Sequence, residues 1–252
     1  MKIGFSRPRR RLRPTLGDDH RGRVDRRRAA AVRLVGDAGE AARIAGAPPG
    51  YLLVHDSSDI VRHCDLLSPR PDPSEVRVLA TPGRTPGEWH LDVATRDRPG
   101  LLAAFTGVLS AAAIDVVQAV LATWDDGAAL EAFVVRSAGP PDGAVLQRAF
   151  VTSLRAPLGS QPVADAKVTF DNHASALYTR CDVRAADRPG LLHALAVAIA
   201  TAGADVHAAR VTTAEGIAHD VFDLSDSAGH MLDARLQDAI RVCLREGVAV
   251  RR

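Results

Sequence analysis

Two stretches of the chain carry the same succession of apolar and polar patterns. In residues 88–95, Trp89, Leu91 and Val93 alternate with His90 and Asp92, the period-two signature of a half-buried strand. Beyond Pro99, the residues Leu101, Leu102, Phe105, Val108, Leu109 and Ala112 fall on one stripe at helical spacing. That predicts a helix with proline in its first turn, where proline is best tolerated. Residues 114–124 and 130–136 predict two more strands around a hairpin turn at Asp125-Asp126-Gly127. A second helix is predicted over 144–154, with Leu146, Phe150 and Leu154 on one face, and a short strand over 167–170. The second stretch repeats this order. It predicts a strand at 177–184, then a helix from Pro189 bearing Leu191, Leu192, Leu195 and Ile199. A strand at 205–213, a turn at Glu215-Gly216 and a strand at 218–224 come next. A helix from Asp233 with Leu236, Ile240 and Leu244 inward, and a closing strand at 248–250, complete it. Each stretch reads β-α-β-β-α-β, the ferredoxin-like unit. The expected fold class is α+β, with two tandem ferredoxin-like domains, each a four-stranded antiparallel sheet carrying two helices on one face.

The residues before 88 are less regular. Residues 31–35 and 40–45 have helical character, and Gly46-Ala47-Pro48-Pro49-Gly50 breaks it. Residues 51–54 read as a short strand or a buried segment. Residues 57–67 predict one helix with Ser57 or Ser58 as N-cap. Pro69, Pro71 and Pro73 close that helix and stiffen the segment after it, and Val76, Val78 and Leu79 have strand-like spacing. A turn-rich join spans 81–87. The expected division is a disordered basic tail at 1–33, a linker at 34–86, and repeated domains at 87–172 and 175–252.

Charge bears on the first of these segments. Residues 1–33 carry twelve lysines and arginines against three aspartates, a net +9, while the rest totals −7 and the whole chain +2. The tail is either a basic arm for nucleic acid or an acidic surface, or simply a disordered tail. Aromatic residues make up only 4%, too few for the stacking platforms of a single-stranded nucleic-acid reader. No apolar run reaches about 18 residues, so no membrane span is expected. The N-terminal charges precede no apolar stretch of the kind a secretory leader needs. Cys64, Cys181 and Cys243 are odd in number and far apart, which argues against a disulfide framework and against a Cys-x-x-Cys pair. A reduced, cytoplasmic protein is expected.

The most informative feature is the repeat itself. Asp97-Arg98-Pro99-Gly100-Leu101-Leu102 recurs as Asp187-Arg188-Pro189-Gly190-Leu191-Leu192. Residues 95–123 laid over 185–213 without gaps share 12 identities in 29, and a one-residue gap then aligns Gly127 with Gly216 and Phe133 with Phe222. In both copies the turn lies between the first strand and the first helix. A glycine allows close approach to the backbone. The helix N-terminus offers unpaired N–H groups and a partial positive charge, which suits a carboxylate. The aspartate beside it can accept an ammonium group. The candidate ligand-binding residues are therefore Asp97, Arg98, Pro99, Gly100 and Leu101, with Asp187, Arg188, Pro189, Gly190 and Leu191. The plainer alternative is that each aspartate caps a helix and each glycine merely packs. Since one turn encloses only part of a ligand, a second wall is expected from Asp115–Thr123 or from 205–213, in the other copy or a partner chain.

An Asp-Arg-Pro-Gly-Leu-Leu turn after a strand, followed by a hairpin and a second helix, resembles the ACT domain. That is a ferredoxin-like regulatory module that commonly binds amino acids at domain interfaces. The tandem pair resembles the C-terminal end of the bifunctional PII uridylyltransferase/uridylyl-removing enzymes, whose ACT pair senses glutamine. Thr169-Phe170-Asp171-Asn172 with Ser175-Ala176-Leu177-Tyr178-Thr179 is similar to their join between ACT domains. Tyr51-Leu52-Leu53-Val54-His55 with Asp59-Ile60-Val61-Arg62-His63 is similar to the segment before their first one. The resemblance covers roughly residues 40–252. It implies an amino-acid ligand, glutamine first, a homodimer formed through ACT domains, a PII-type signalling partner and no membrane.

The catalytic motifs of that family are not found. Gly159-Ser160 lacks the downstream aspartate pair that holds metal in the transferase domain. His55-Asp56 has no histidine partner upstream except His20, and two adjacent residues do not fill a metal shell. His193, in the second copy, either touches a ligand or is a plain surface histidine. No catalytic residue, metal ligand or cofactor is assigned. The leading expectation is a non-catalytic, amino-acid-sensing regulator linked to nitrogen metabolism. The alternatives are a uridylyltransferase relative lacking its catalytic domains, and a nucleic-acid-associated regulator using the basic tail.

Overall fold

The computed structural model describes residues 16–250, with side chains from residue 21 onward. Four helices come first: α1 (Leu16–Val32), α2 (Ala38–Ala45), α3 (Pro49–Val54) and α4 (Ser57–Leu67). Asp37 caps α2 by accepting from the Gly39 and Glu40 N–H groups. Asp56 caps α4 through Ser58 N–H and Asp59 N–H, one residue before the serines expected in that role. Residues 51–54 are helical, with Tyr51 and Leu52 buried. So short an apolar run does not distinguish a buried strand from a helical turn, and Pro49 at the first turn favours the helix.

Helix α1 corrects the expectation of a disordered tail over residues 16–32. It packs through Val24 and Ala31, while Arg27 donates to the His55 carbonyl and Arg28 to that of Ala47. Two small apolar contacts among many arginines leave no stripe to read, so this helix was invisible to periodicity. Residues 1–15 of the tail lie outside the described residues. Residues 34–86 are likewise not a linker: they hold three of these helices and a strand.

The rest of the chain forms β1 (Arg77–Pro82), β2 (Glu88–Arg96), α5 (Leu101–Ala111), β3 (Asp115–Thr123), β4 (Ala128–Arg136) and α6 (Gly143–Ser153). Then come β5 (Lys167–Asp171), β6 (Thr179–Ala186), α7 (Leu191–Ala202), β7 (Ala204–Ala214), β8 (Ile217–Asp226) and α8 (Ala234–Glu246). All eight strands make one antiparallel sheet, ordered β1-β2-β4-β3-β7-β8-β6-β5, in place of the two separate sheets expected.

The edge strands also differ from expectation. Residues 167–171 pair with β6 and so belong to the second half of the sheet. The outer position of the first half is held by β1, which precedes β2 across a short turn. Each half thus runs β-β-α-β-β-α. A nearby strand fills the slot beside the first repeated strand before the later one arrives, in keeping with the preference for pairing sequential neighbours. With β5 already beside β6, residues 248–250 contribute only a single bridge, Val248 to Ser160.

One face of the sheet is covered along its whole length by α5–α8, and the core there includes Leu91, Val93, Phe105, Phe133, Phe150, Phe222 and Ile240. The other face is covered only over the first half, where α1–α4 bury Ala94, Ala122, Leu130 and Ala132. The halves meet at β3–β7 and through α5 against α7, where His193 Nδ1 donates to the Ala103 carbonyl at 2.7 Å. His193 is therefore a half-buried packing residue and not a plain surface histidine.

Candidate functional site

Strands β3 and β7 pair over three residues each, Gln118–Val120 against Ala208–Arg210. Both strands carry a β-bulge just outside that contact, at Val117 and at His207, the residues left without a register partner on β4 and β8. Bulges increase local twist and end pairing. Beyond His207 the strands part, and 120–123 and 204–208 become facing walls of a cleft of about 400 Å³. That volume lies within the range of small-molecule sites. The turn 97–103 forms one side, and Gly50, Tyr51 and Val54 of α3 with Tyr178 form another.

The bulge also aims His207. Its ring stacks on Tyr178, with centroids 4.2 Å apart, and Nε2 meets Ser225 Oγ at 2.9 Å. Burial pushes His207 down to about 4, so it is neutral at pH 7. Tyr178 leans on Gly50, where a β-carbon would stand 2.7 Å from the phenol oxygen. Tyr51 is held from behind by a buried ladder: its hydroxyl meets His63 Nδ1 at 2.9 Å, and His63 Nε2 meets Asp92 at 3.2 Å. Burial alone would raise Asp92, but His63 and Arg62 hold its carboxyl below the usual range.

The turn is pinned by Asp97 N–H donating to the Gly127 carbonyl at 2.9 Å. Gly100 caps α5 at φ +82°, and a β-carbon there would lie 2.5 Å from Leu158 Cδ1. The left-handed backbone therefore favours glycine, and any β-carbon would also make the Leu158 side chain shift. Leu101, Leu102 and Ala103, the first residues of α5, line the cleft. Their N–H groups have no carbonyl within the helix, so this end of the cleft suits an anion. Arg98 donates to the Pro73 carbonyl.

Glu131, to which the sequence pattern assigned no role, lies at the floor of the cleft. On β4 it sits between Val93 of β2 and Leu121 of β3. It is 1% exposed, and neither carboxyl oxygen has a partner. Burial and the charge of Asp97 hold it well above the usual carboxylate range. The signal was available: an acid stands inside the apolar run of β4, and the repeat alignment sets Asp220 opposite it. Asp220 is equally buried and unpartnered, between Val183 and Val211, and burial with Asp187 pushes it up to about 7.

The ten candidate residues are split by the fold. Asp97, Arg98, Pro99, Gly100 and Leu101 line the cleft. Asp187, Arg188, Pro189, Gly190 and Leu191 do not. The second turn has the same frame, with Asp187 N–H on the Gly216 carbonyl at 2.9 Å and Gly190 at φ +79°. It stands beside the other end of α5, where Ser110 Oγ would be 3.7 Å from a β-carbon on Gly190. Arg188 pairs with Asp165 at 3.2 Å.

Other candidates fall into structural roles. His55 is buried and pushed down to about 4, and Asp56 caps α4. Ser160 bridges Val248. The three cysteines are free, and burial pushes the Cys64 and Cys181 thiols up to about 12. Among the described residues, no group of three or more histidine, cysteine, aspartate or glutamate side chains is placed to hold a metal, and no helix is long and apolar enough to cross a membrane.

No family model matches the chain. A crystal structure of an unknown protein from Galdieria sulphuraria overlaps 63% of this chain and 89% of its own at 17% identity, with a TM-score of 0.24, an overlap too low to argue from. Curated relatives are more informative. A bifunctional uridylyltransferase/uridylyl-removing enzyme of Rhodospirillum rubrum is 27% identical over 233 residues, covering 79% of this chain and 24% of its own. Those of Bordetella avium and Gluconobacter oxydans are 29% identical, covering 69% and 79% of this chain and 23% of their own. The chain spans about a quarter of the length of these relatives. Over most of its own length it resembles the bifunctional uridylyltransferase/uridylyl-removing enzymes, consistent with their C-terminal part.

Proposed function

We propose that this chain is a regulatory module of tandem ACT type that binds a small amino acid in the cleft between its two repeated halves. The observation that supports this reading best is the placement of the first Asp-Arg-Pro-Gly turn. It brings a helix N-terminus for a carboxylate and Asp97 for an ammonium to one wall, with the other repeat as the opposite wall. Because the walls come from different halves, a ligand that touches both favours one arrangement of the halves. Binding and arrangement are then coupled, typically by about 1–3 kcal/mol. The resemblance to uridylyltransferase/uridylyl-removing enzymes supports a role in nitrogen metabolism, with glutamine as first ligand to test, a PII-type signalling partner and pairing through ACT domains.

A second reading has its own support, the small share of each relative that the chain spans. In it, the same module acts on uridylyl-transfer and uridylyl-removal domains. A thermal-shift screen of the twenty amino acids, followed by calorimetry, tests the proposal. A true ligand at 100 times its Kd stabilises the chain by about 2.7 kcal/mol, and Asp97→Ala weakens it. If no amino acid shifts the melting temperature, the proposal fails.

A further inference from the structure

The cleft is lined mostly by apolar residues, and four of its few ionisable side chains are acids. Asp97 and Asp205 stand exposed at its mouth, Glu131 forms the floor and Asp223 lies on the far strand. Asp223 has Arg180 Nε at 3.8 Å. Asp97, Glu131 and Asp205 form no ion pair among the described residues. Of the basic groups nearby, His207 is neutral, Arg98 is charged but directs its guanidinium to the Pro73 carbonyl, and Arg180 and Arg210 act on Asp223. These carboxyls act on one another, since the charge of Asp97 adds to burial in raising both Glu131 and Asp205.

A buried acid with both oxygens unpartnered is costly in either protonation state. The chain keeps one at the floor of a cleft that also offers an anion site. We propose that the ligand of this cleft is a cationic amino acid. Its carboxylate sits at the α5 N-terminus, its α-ammonium at Asp97, and a second positive group at Glu131. This rests on the amino-acid-binding reading and names the ligand class within it. The carboxyls are not gathered tightly enough for a metal ion.

A positive group beside Glu131 favours its ionised form, so that binding and loss of any proton it carries to solvent are linked. Around Glu131, α5 carries no titratable side chain and β2 and β3 place Val93 and Leu121 beside it. Asp97 from the turn is the charge that acts on it, with Asp205 beyond on β7.

The experiment is calorimetry on the full chain with L-lysine, L-arginine and L-glutamine, from pH 6 to pH 8, in two buffers of different ionisation heat. Lysine or arginine is expected to bind about 10-fold or more tighter than glutamine. Binding should be accompanied by proton release, and Glu131→Gln, nearly isosteric, should erase both the preference and the release at unchanged circular dichroism. Glutamine binding as tightly with no proton released, its amide paired with a protonated Glu131, overturns the charge assignment and leaves the amino-acid reading standing. Preference retained in Glu131→Gln also overturns it. Absence of binding by any amino acid removes both.

Discussion

At the first turn, Asp97 N–H is held by the Gly127 carbonyl, and at the second, Asp187 N–H by that of Gly216. Each glycine caps its helix with left-handed backbone, and each turn overlies a buried, unpartnered acid on the third repeated strand. Their surroundings are unlike. Helix α3 and Tyr178 wall in the first wedge between β3 and β7, and Leu158 packs on Gly100. The second turn has the end of α5 as neighbour and opens on no part of the cleft. The same contrast runs through the sheet. Strand β4, under helices on both faces, is buried at nearly every position, whereas β8 alternates buried and half-exposed residues. Duplication preserved the local frame of the site, and the layer added to one half decided which frame encloses space.

The sharpest way to break this comparison is to add one methyl group to each turn. Alanine in left-handed backbone costs about 1–2 kcal/mol at either position. At Gly100 the new methyl also meets the Cδ1 end of Leu158 at 2.5 Å, and this flexible, half-buried side chain must shift to admit it. At Gly190 the nearest atom is at 3.7 Å, so only the backbone cost applies. Urea denaturation should show Gly100→Ala as the more destabilised variant, by up to about 1 kcal/mol. Equal losses would mean that Leu158 moves aside at no cost.

Much of this was legible in the residues. The 29-residue overlay located both turns, both helices behind them and most strands, because these depend on local period and turn chemistry. Pairing partners were less legible. Nothing in residues 167–171 says that they join β6, since a strand's own pattern does not name its neighbour. Helix α1 was hidden because, among its described side chains, only Val24 and Ala31 are fully buried. The strands that wall the cleft were among those expected, but its shape was hidden for a third reason: it exists where two bulged strands diverge, and a bulge such as that at His207 is set by tertiary register. Glu131 was the one site residue that could have been found, by asking why an acid recurs at matched positions within apolar strands.

That pair of acids allows a second, smaller comparison. Asp220 is raised to about 7 in the folded chain from the 3.8 of an unperturbed aspartate. Between those values the folded state holds a proton that the unfolded state has lost. The stabilisation from this group is thus complete below about pH 4 and is lost as pH rises through about 7, at up to about 1.4 kcal/mol per pH unit. Asp220→Val, between Val183 and Val211, should remove that slope and stabilise the chain at pH 8 by about 1–3 kcal/mol. Glu131→Leu should do the same for stability, but with loss of ligand preference, because only Glu131 faces the cleft. Unfolding measured from pH 5 to pH 8 checks both; an unchanged slope in Asp220→Val would show that its carboxyl is solvated.

The smallest expected difference concerns the arginines of the two turns. Arg188 pairs with Asp165 where both side chains are more than a third exposed, at 37% and 45%. Such pairs contribute about 0–1 kcal/mol, because solvent screens them and two long side chains must be ordered. Arg188 also donates to the Ala186 carbonyl at 3.0 Å, within its own turn, whereas Arg98 donates to the carbonyl of Pro73 and so ties the turn to the segment between α4 and β1. Both of these hydrogen bonds are solvent-exposed, so losing either donor leaves its carbonyl to water at a cost of no more than about 1 kcal/mol. Arg98→Ala should therefore cost slightly more than Arg188→Ala, by less than about 1 kcal/mol, because only the Arg98 bond joins its turn to another segment. It should also speed amide exchange in residues 72–76, which Arg188→Ala leaves alone. If the two variants unfold at the same urea concentration, or Arg188→Ala is the weaker, the first turn is not braced by its neighbours, and the contrast between the turns reduces to the presence of the cleft.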